Sequence, residues 1–365
     1  MQAVILSGGE GTRLRPLTAT VPKPSVPLVN RPMISYMIDW LAHNSVRNIV
    51  MSCGFLAYGL RLALDEAGHE SVNIRYVEES RPLGTAGAVK HAESLLDERF
   101  LVLNGDVLTE FDIGAEIAQH EATNAQATLA LVPVEDPTAY GLVISDADHK
   151  IQSFLEKPDA ADVPPDPRIN AGAYVMERSV LDMIPSDTPY SFEHDVFPKL
   201  VGDGLYSYNA DGYWLDLGTP ERYLTATYDL LDGKMESWVG ERMIAGGRAV
   251  EAGVDTANSQ IEPPVVISDG CRIGADSRVG PYTVLGHGCV IGTNCVLDHA
   301  VIQRGATLGQ RVTVERSIVG PGVVVGDGVS ILGGSVIGEG AKIGAGNTID
   351  AESRIDAGVD IPARS

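Results

Sequence analysis

Cysteine is scarce and poorly placed for metal chemistry. The 365 residues include four cysteines, Cys53, Cys271, Cys289 and Cys295, and no two form a CxxC pair. That argues against a zinc site and against a disulfide framework. Positive charge is scarce too, with 27 Lys and Arg against 49 Asp and Glu, a net charge of −22. Broad electrostatic binding of nucleic acid is thereby disfavoured, so no nucleic-acid partner is expected. Any local basic cluster becomes informative. No run approaches the roughly 18 apolar residues that span a membrane. The opening MQAVIL has no basic n-region or cleavage signature, so a soluble cytoplasmic protein without a membrane partner is expected.

Glycine is abundant, at 40 residues, and the chain has two grammars. Residues 1–235 alternate strand-like and helix-like segments. AVILS at 3–7, NIVMS at 48–52, IRYV at 74–77 and FLVLNGDV at 100–107 read as strands. Met33, Ile34, Met37, Trp40 and Leu41 predict an amphipathic helix over 31–44. ATLALVPV, GLVIS, IQSFLE, AGAYVM and YWLDL read as later strands. Strands separated by helices imply an α/β domain with a mostly parallel, Rossmann-like sheet, whose ligands bind at the carboxyl ends of strands. Residues 236–262 show no period and read as a linker or an atypical first coil.

From 263 to 365 aliphatic residues recur every six positions, as at Ile267, Ile273, Val279, Leu285, Ile291 and Leu297. The phase slips by one at Ile302 and again at Val319, then runs on to Ile355. A helix needs a period near 3.6 and a flat strand a period of two. Six, with many glycines, predicts a left-handed parallel β-helix of about five coils. Cys271, Cys289 and Cys295 each lie four residues after a repeat aliphatic, as do Ser277 and Thr283. Such positions face inward, so these cysteines read as packing residues. His287 and His299 fall two residues after a repeat aliphatic and should face outward.

Two motifs carry phosphate chemistry. The first is Ser7-Gly8-Gly9-Glu10-Gly11-Thr12-Arg13-Leu14-Arg15-Pro16, directly after the first strand. Glycines let backbone N–H groups approach a polyphosphate, and Arg13 and Arg15 neutralise charge. No Gly-Lys-Ser/Thr follows, so this is not a Walker A loop. The second motif, Pro22-Lys23-Pro24, fixes one cation on a stiff extended segment. Alone, these could still be a plain glycine turn and a surface lysine.

Together they resemble the sugar-1-phosphate nucleotidyltransferase family. Pro82-Leu83-Gly84-Thr85-Ala86-Gly87, Asn104-Gly105-Asp106, Glu156-Lys157-Pro158, Asn170-Ala171-Gly172 and Trp214-Leu215-Asp216-Leu217-Gly218-Thr219-Pro220 follow in the family's order. The added β-helix, PLGTAGA, NAGAYV and Ser-Phe-Glu-His-Asp-Val-Phe-Pro resemble the mannose-1-phosphate guanylyltransferase branch.

The resemblance implies roles. Leu6, Gly8, Gly9, Gly11, Thr12 and Arg13 would bind the nucleotide, with Lys23 near the reacting phosphates. Leu83, Gly84 and Thr85 would lie against the base. Asp106 and Asp216 would hold Mg²⁺. Glu156 would accept hydrogen bonds from the sugar, Lys157 would hold its phosphate, and Gly141, Asn170 and Gly172 would shape the pocket. The implied catalytic set is Arg13, Lys23, Asp106, Lys157 and Asp216. The implied partners are a nucleoside triphosphate, GTP first, and a sugar 1-phosphate, mannose first. The β-helix, whose flat faces suit homo-oligomer contacts, reads as assembling subunits or supporting regulation.

Blander readings stand beside these. Asp106 could be a turn residue and Asp216 a helix cap. Glu156 and Lys157 could be an exposed pair. Trp214 reads as packing, and His194 as the exposed side of a helix start rather than a base. Glucose 1-phosphate with dTTP, ATP or UTP is the alternative substrate reading. A non-catalytic regulatory paralogue and an acyltransferase are the alternative classes.

Overall fold

Gln2–Ser7 forms strand β1, with Ala3, Val4 and Ile5 all fully buried. It pairs in parallel with β2 (Asn48–Cys53) on one side and β4 (Arg99–Asn104) on the other, with Val4 opposite both Val50 and Val102. β3 (Asn73–Glu78) extends β2 in parallel. Strands covered on both faces read as continuous apolar runs, which is why β1, β2 and β4 lack alternation, whereas the edge strand β3 alternates. The remaining strands are β5 (Ala127–Pro133), β6 (Gly141–Ser145), β7 (Ile151–Glu156), β8 (Arg168–Glu177) and β9 (Leu205–Asn209). The sheet order is β7-β6-β8-β4-β1-β2-β3, with β5 bridging β8 and β9.

The sheet is mixed. β1 to β4 are parallel, as expected, but β8 runs antiparallel to β4, β5 and β6. An apolar run such as AGAYVM marks a strand without marking its direction. The predicted helix forms at Met33–His43; it starts late because Arg31–Pro32 pairs with Pro27–Leu28 as a hairpin. One face of the sheet packs Val4, Val50, Val102 and Tyr174 with Phe192 and Phe197, whose rings stack at 5.5 Å. Each such buried side chain contributes about 1.5–3 kcal/mol.

The computed structural model describes residues 1–54, 56–243 and 246–364. Contacts divide the chain into two units. The first comprises Met1–Gly9, Tyr36–Arg61 and Gly68–Trp214, and holds the sheet. The second comprises Glu10–Ser35, Leu62–Ala67 and the chain from Leu215 onward.

The second unit contains the left-handed β-helix, built of three parallel sheets of seven, six and six strands. Arg248–Val250 and Gln260–Ile261 already pair into these sheets, so an atypical first coil precedes the regular hexads. The phase slips are tight corners. Val284 pairs with Val301 and Val301 with Ile318, shortening two coils to 17 residues, and His299 and Arg316 turn there with φ of 52° and 41°. Glycine is required where coils stack: a Cβ on Gly292 would lie 2.3 Å from the Gly309 carbonyl oxygen. Cys271, Cys289, Cys295, Ser277 and Thr283 are all buried, as the period predicts. His287 is exposed and pairs with Asp269 at 2.6 Å. His299 is more covered than expected, stacked on Tyr282 at 4.8 Å. Among the described residues, no long insertion interrupts the coils to form an acceptor pocket for acyl transfer.

Candidate active site

In the first unit, motifs gather at the carboxyl ends of the parallel strands. The Leu6 carbonyl accepts from the Gly105 amide at 2.9 Å, which sets Asp106 in the turn after β4 and beside the end of β1. Gly8 lies under Glu79: a Cβ there would stand 2.9 Å from Glu79 Oε1. Glu79 also accepts from Ser52 Oγ at 3.1 Å and from the Leu83 amide at 3.0 Å. One carboxylate thus joins the glycine loop to the Leu83-Gly84-Thr85 segment. Gly9 is open to solvent. Leu83 is buried, while Gly84 turns with φ of 71° and sits so close to Tyr190 that a Cβ would be 2.6 Å from its carbonyl oxygen.

The residues expected to shape the sugar pocket are held by a break in β8. Its register against β5 shifts between Asn170 and Tyr174. Asn170 Oδ1 accepts from the Gly172 amide at 3.0 Å, and Asn170 Nδ2 donates to the Tyr174 hydroxyl at 2.8 Å. Gly172, at φ 74°, abuts the Asn104 side chain, 2.6 Å from where a Cβ would be. Trp214 Nε1 donates to the Ala171 carbonyl at 2.9 Å, a packing role as read from the sequence.

Glu156 and Lys157 line a cleft of about 410 Å³ together with Glu193 and His194. Gly141 pairs with Glu156 across β6 and β7. The Lys157 backbone is left-handed, φ 50°, and its amide donates to the Tyr140 carbonyl at 2.8 Å. Burial raises the Glu156 carboxyl above its ordinary range; nearby Glu193 adds to this, while Lys157 and His194 pull it back. Glu193 accepts from Thr85 Oγ1 at 2.8 Å and from Ser191 Oγ at 2.6 Å. It therefore connects the expected base segment to the expected sugar cleft. His194 is exposed on the helical turn Phe192–Val196, which Ser191 caps.

In the second unit, Gly11 turns with φ of 62°, and a Cβ there would lie 3.0 Å from Lys23 Cβ, so loop and lysine are neighbours. Thr18 Oγ1 ties the loop by donating to the Gly11 carbonyl at 2.8 Å. Thr12 and Arg13 are exposed, whereas Lys23 is 7% exposed. A Cβ on Gly218 would meet both Asp216 Oδ1 at 2.8 Å and Arg13 Nη2 at 3.0 Å, so cation and carboxylate flank that glycine. Asp216 is ion-paired with Arg222. The cap of the helix Pro220–Leu231 is Thr219, not Asp216.

Sequence reasoning missed Glu79, Glu193 and Arg222. Glu193 had a weak signal in the Ser-Phe-Glu-His-Asp stretch, where Ser191 offers a cap. Glu79 and Arg222 had none, because their partners are brought together by folding. Among the described residues, no three His, Cys, Asp or Glu side chains gather as a metal cage. Two carboxylates completed by substrate phosphate oxygens is the donor set Mg²⁺ accepts. Asp106 and Asp216 fit that chemistry by type.

Residues 2–233 match the family described as nucleotidyl transferase. The chain belongs to that family. Beyond the nucleotidyl transferase region, residues 250–349 match a second family, described as the EIF2B subunit epsilon LbH domain. A mannose-1-phosphate guanylyltransferase of Mycobacterium tuberculosis is 35% identical over 288 residues, covering 76% of this chain and 78% of that protein. A mannose-1-phosphate guanyltransferase of Yarrowia lipolytica is 41% identical over 234 residues, covering 62% of this chain; the chain spans 63% of that relative. A crystal structure of HddC from Yersinia pseudotuberculosis, complexed with GMP-PN, aligns with a TM-score of 0.52 at 27% identity. It covers 62% of this chain and 97% of its own.

Proposed function

We propose that the chain condenses mannose 1-phosphate with GTP to give GDP-mannose and pyrophosphate. The observation that carries this reading is the 35% identity to the mycobacterial guanylyltransferase across 288 residues, more than the catalytic region alone. The geometry supports the reaction class. A sugar phosphate is anionic at neutral pH, so its oxygen needs no general base. The obstacle is repulsion between two phosphate-bearing anions, which positioned cations offset while aligning the attack.

The phosphate oxygen of the sugar forms the new bond to the α-phosphorus, and the bond to the pyrophosphate leaving group breaks opposite. Glu156 receives the sugar hydroxyls over Gly141, and Lys157 holds the sugar phosphate at the cleft lip. Asn170 and Gly172 form the pocket wall. Leu6, Gly8, Gly9, Gly11, Thr12 and Arg13 bind the nucleotide, with Lys23 for its reacting phosphates. Leu83, Gly84 and Thr85 meet the base. Asp106 and Asp216 are the carboxylates that would hold Mg²⁺, whose charge would offset that of the phosphates. Residues 1–235 carry this chemistry, and the β-helix assembles a homo-oligomer, consistent with its flat faces. A cytoplasmic setting matches such substrates, and no helix among the described residues could cross a membrane.

Mass analysis of the product tests the proposal. Incubation with GTP, mannose 1-phosphate and Mg²⁺ should yield GDP-mannose. A GDP-sugar formed only with a different sugar phosphate would overturn the substrate and keep the reaction.

A further inference from the structure

Val29 and Asn30 turn the hairpin of Pro27–Leu28 and Arg31–Pro32 with φ of 43° and 67°. Two positive φ values in a two-residue turn are the signs of type I′, whose first central position ordinarily takes Asn, Asp or Gly. A β-branched valine there is strained and persists only where its surroundings over-determine it. Val29 is fully buried.

The β-helix supplies those surroundings. Asn30 Nδ2 donates to Ser268 Oγ and to the Leu285 carbonyl, both at 2.9 Å. The Tyr223 hydroxyl donates to the Pro27 carbonyl, and Gln303 Nε2 donates to that hydroxyl at 3.4 Å. Ser268, Leu285 and Gln303 come from three successive coils. The position just after the aliphatic of each strand reads Glu251, Ser268, Gly286, Gln303, Gly320, Gly338 and Asp356 down this sheet. Of the polar side chains in that column, Ser268 and Gln303 are the two that reach the hairpin system, and both are under a tenth exposed.

Lys23 lies four residues before Pro27, and the intervening chain is tightly turned. The Val26 amide donates to the Lys23 carbonyl at 3.1 Å, and the Met33 amide donates to the Val26 carbonyl at 3.0 Å. A shift of the hairpin is thus transmitted to Lys23 and to Gly11 beside it.

We infer that the β-helix is a working part of the phosphate-binding site: Ser268, Leu285 and Gln303 clamp the hairpin and thereby fix Lys23. Asn30 and Tyr223 are positioning residues and touch no substrate. This rests on the reading that Lys23 engages nucleotide phosphates.

The test uses the full-length chain carrying Ser268→Ala and Gln303→Leu together. Two readouts are taken: amide hydrogen exchange without substrate, and steady-state rates with GTP and mannose 1-phosphate. Exchange across 22–33 should quicken at least about tenfold, with 318–349 unchanged. The KM for GTP should rise about tenfold, with the KM for mannose 1-phosphate within about twofold of wild type. Ser268→Thr, which keeps the hydroxyl, should restore much of the loss. Unchanged exchange over 22–33, or a loosened hairpin with an unchanged GTP KM, overturns the inference. If protection at 318–349 is lost, Asn30→Ala replaces the double variant and the same readouts decide. A wild-type chain inactive with this pair would remove the substrate reading, and exchange would still decide the clamp.

Discussion

Gly141 faces Glu156 across paired antiparallel strands, and a Cβ at position 141 would stand 2.9 Å from Glu156 Oε2 and 2.8 Å from Phe154 Cζ. The absent side chain is what leaves the carboxylate room to lie over the strand. Gly141→Ala must therefore push Glu156 from its place. The KM for the sugar phosphate should rise by up to about 10²-fold, the cost of roughly 1 Å of misplacement. The KM for GTP should move little. Equal changes in both constants would show that the substitution acts on the fold and not on the sugar cleft.

Glu156 sits beside Glu193, and both burial and that neighbour raise its carboxyl above the ordinary value of 4.5. An ionised carboxylate accepts from sugar hydroxyls more strongly than a neutral carboxyl does. Affinity for the sugar phosphate should therefore fall on acidification at a pH above the usual glutamate range. Glu193→Gln removes one negative neighbour and should move that acid limb to lower pH. His194 faces the same cleft and, when protonated, favours the ionised Glu156. Its replacement should move the limb the opposite way. A limb that stays put in Glu193→Gln would separate the two carboxylates.

Asp216 is already paired with Arg222. A divalent cation at Asp216 would compete with that guanidinium. Arg222→Gln should lower the Mg²⁺ concentration giving half-maximal rate by about threefold or more, at a cost in helix anchoring. Asp106→Asn should reduce kcat by about 10²–10³-fold without altering the melting temperature. Undiminished turnover in Asp106→Asn at saturating Mg²⁺ would take that residue out of the chemistry.

Glu116 lies on the helix Ile113–Thr123, wholly buried, and burial pushes its carboxyl well above the ordinary range, only partly offset by the Val175 backbone. Its folded pKa exceeds its unfolded one. Its stabilising contribution is thus complete below the unfolded value and lost as pH rises through the folded value. Glu116→Gln is neutral at every pH and avoids that loss. At about pH 8 the variant should melt roughly 2–4 °C above wild type. The gain should shrink toward about pH 5.5. A gain independent of pH would mean the carboxyl is not protonated in the fold.

Much of this architecture was legible because two periods dominate it. The hexad repeat placed Ile267 through Ile349 inside the coil and put Cys271, Cys289 and Cys295 there with them. Apolar runs ending in Gly, Asn or Asp located β1 and β4 and the motifs at their ends. What the residues concealed was long-range. The Asp216–Arg222 pair and the bond from Thr85 to Glu193, 108 positions away in sequence, leave no local pattern. The antiparallel course of β8 was hidden because apolar composition carries no direction. The coil begun at Arg248 could not be told from a linker because its first turn lacks the six-residue spacing.

The most direct test of the central claim is pyrophosphate release with Mg²⁺ across GTP, ATP, UTP and dTTP, each with mannose 1-phosphate and glucose 1-phosphate. The account predicts release dominated by GTP with mannose 1-phosphate, at least about tenfold over any other pair. Dominant release with glucose 1-phosphate, or silence across all eight pairs, would contradict it.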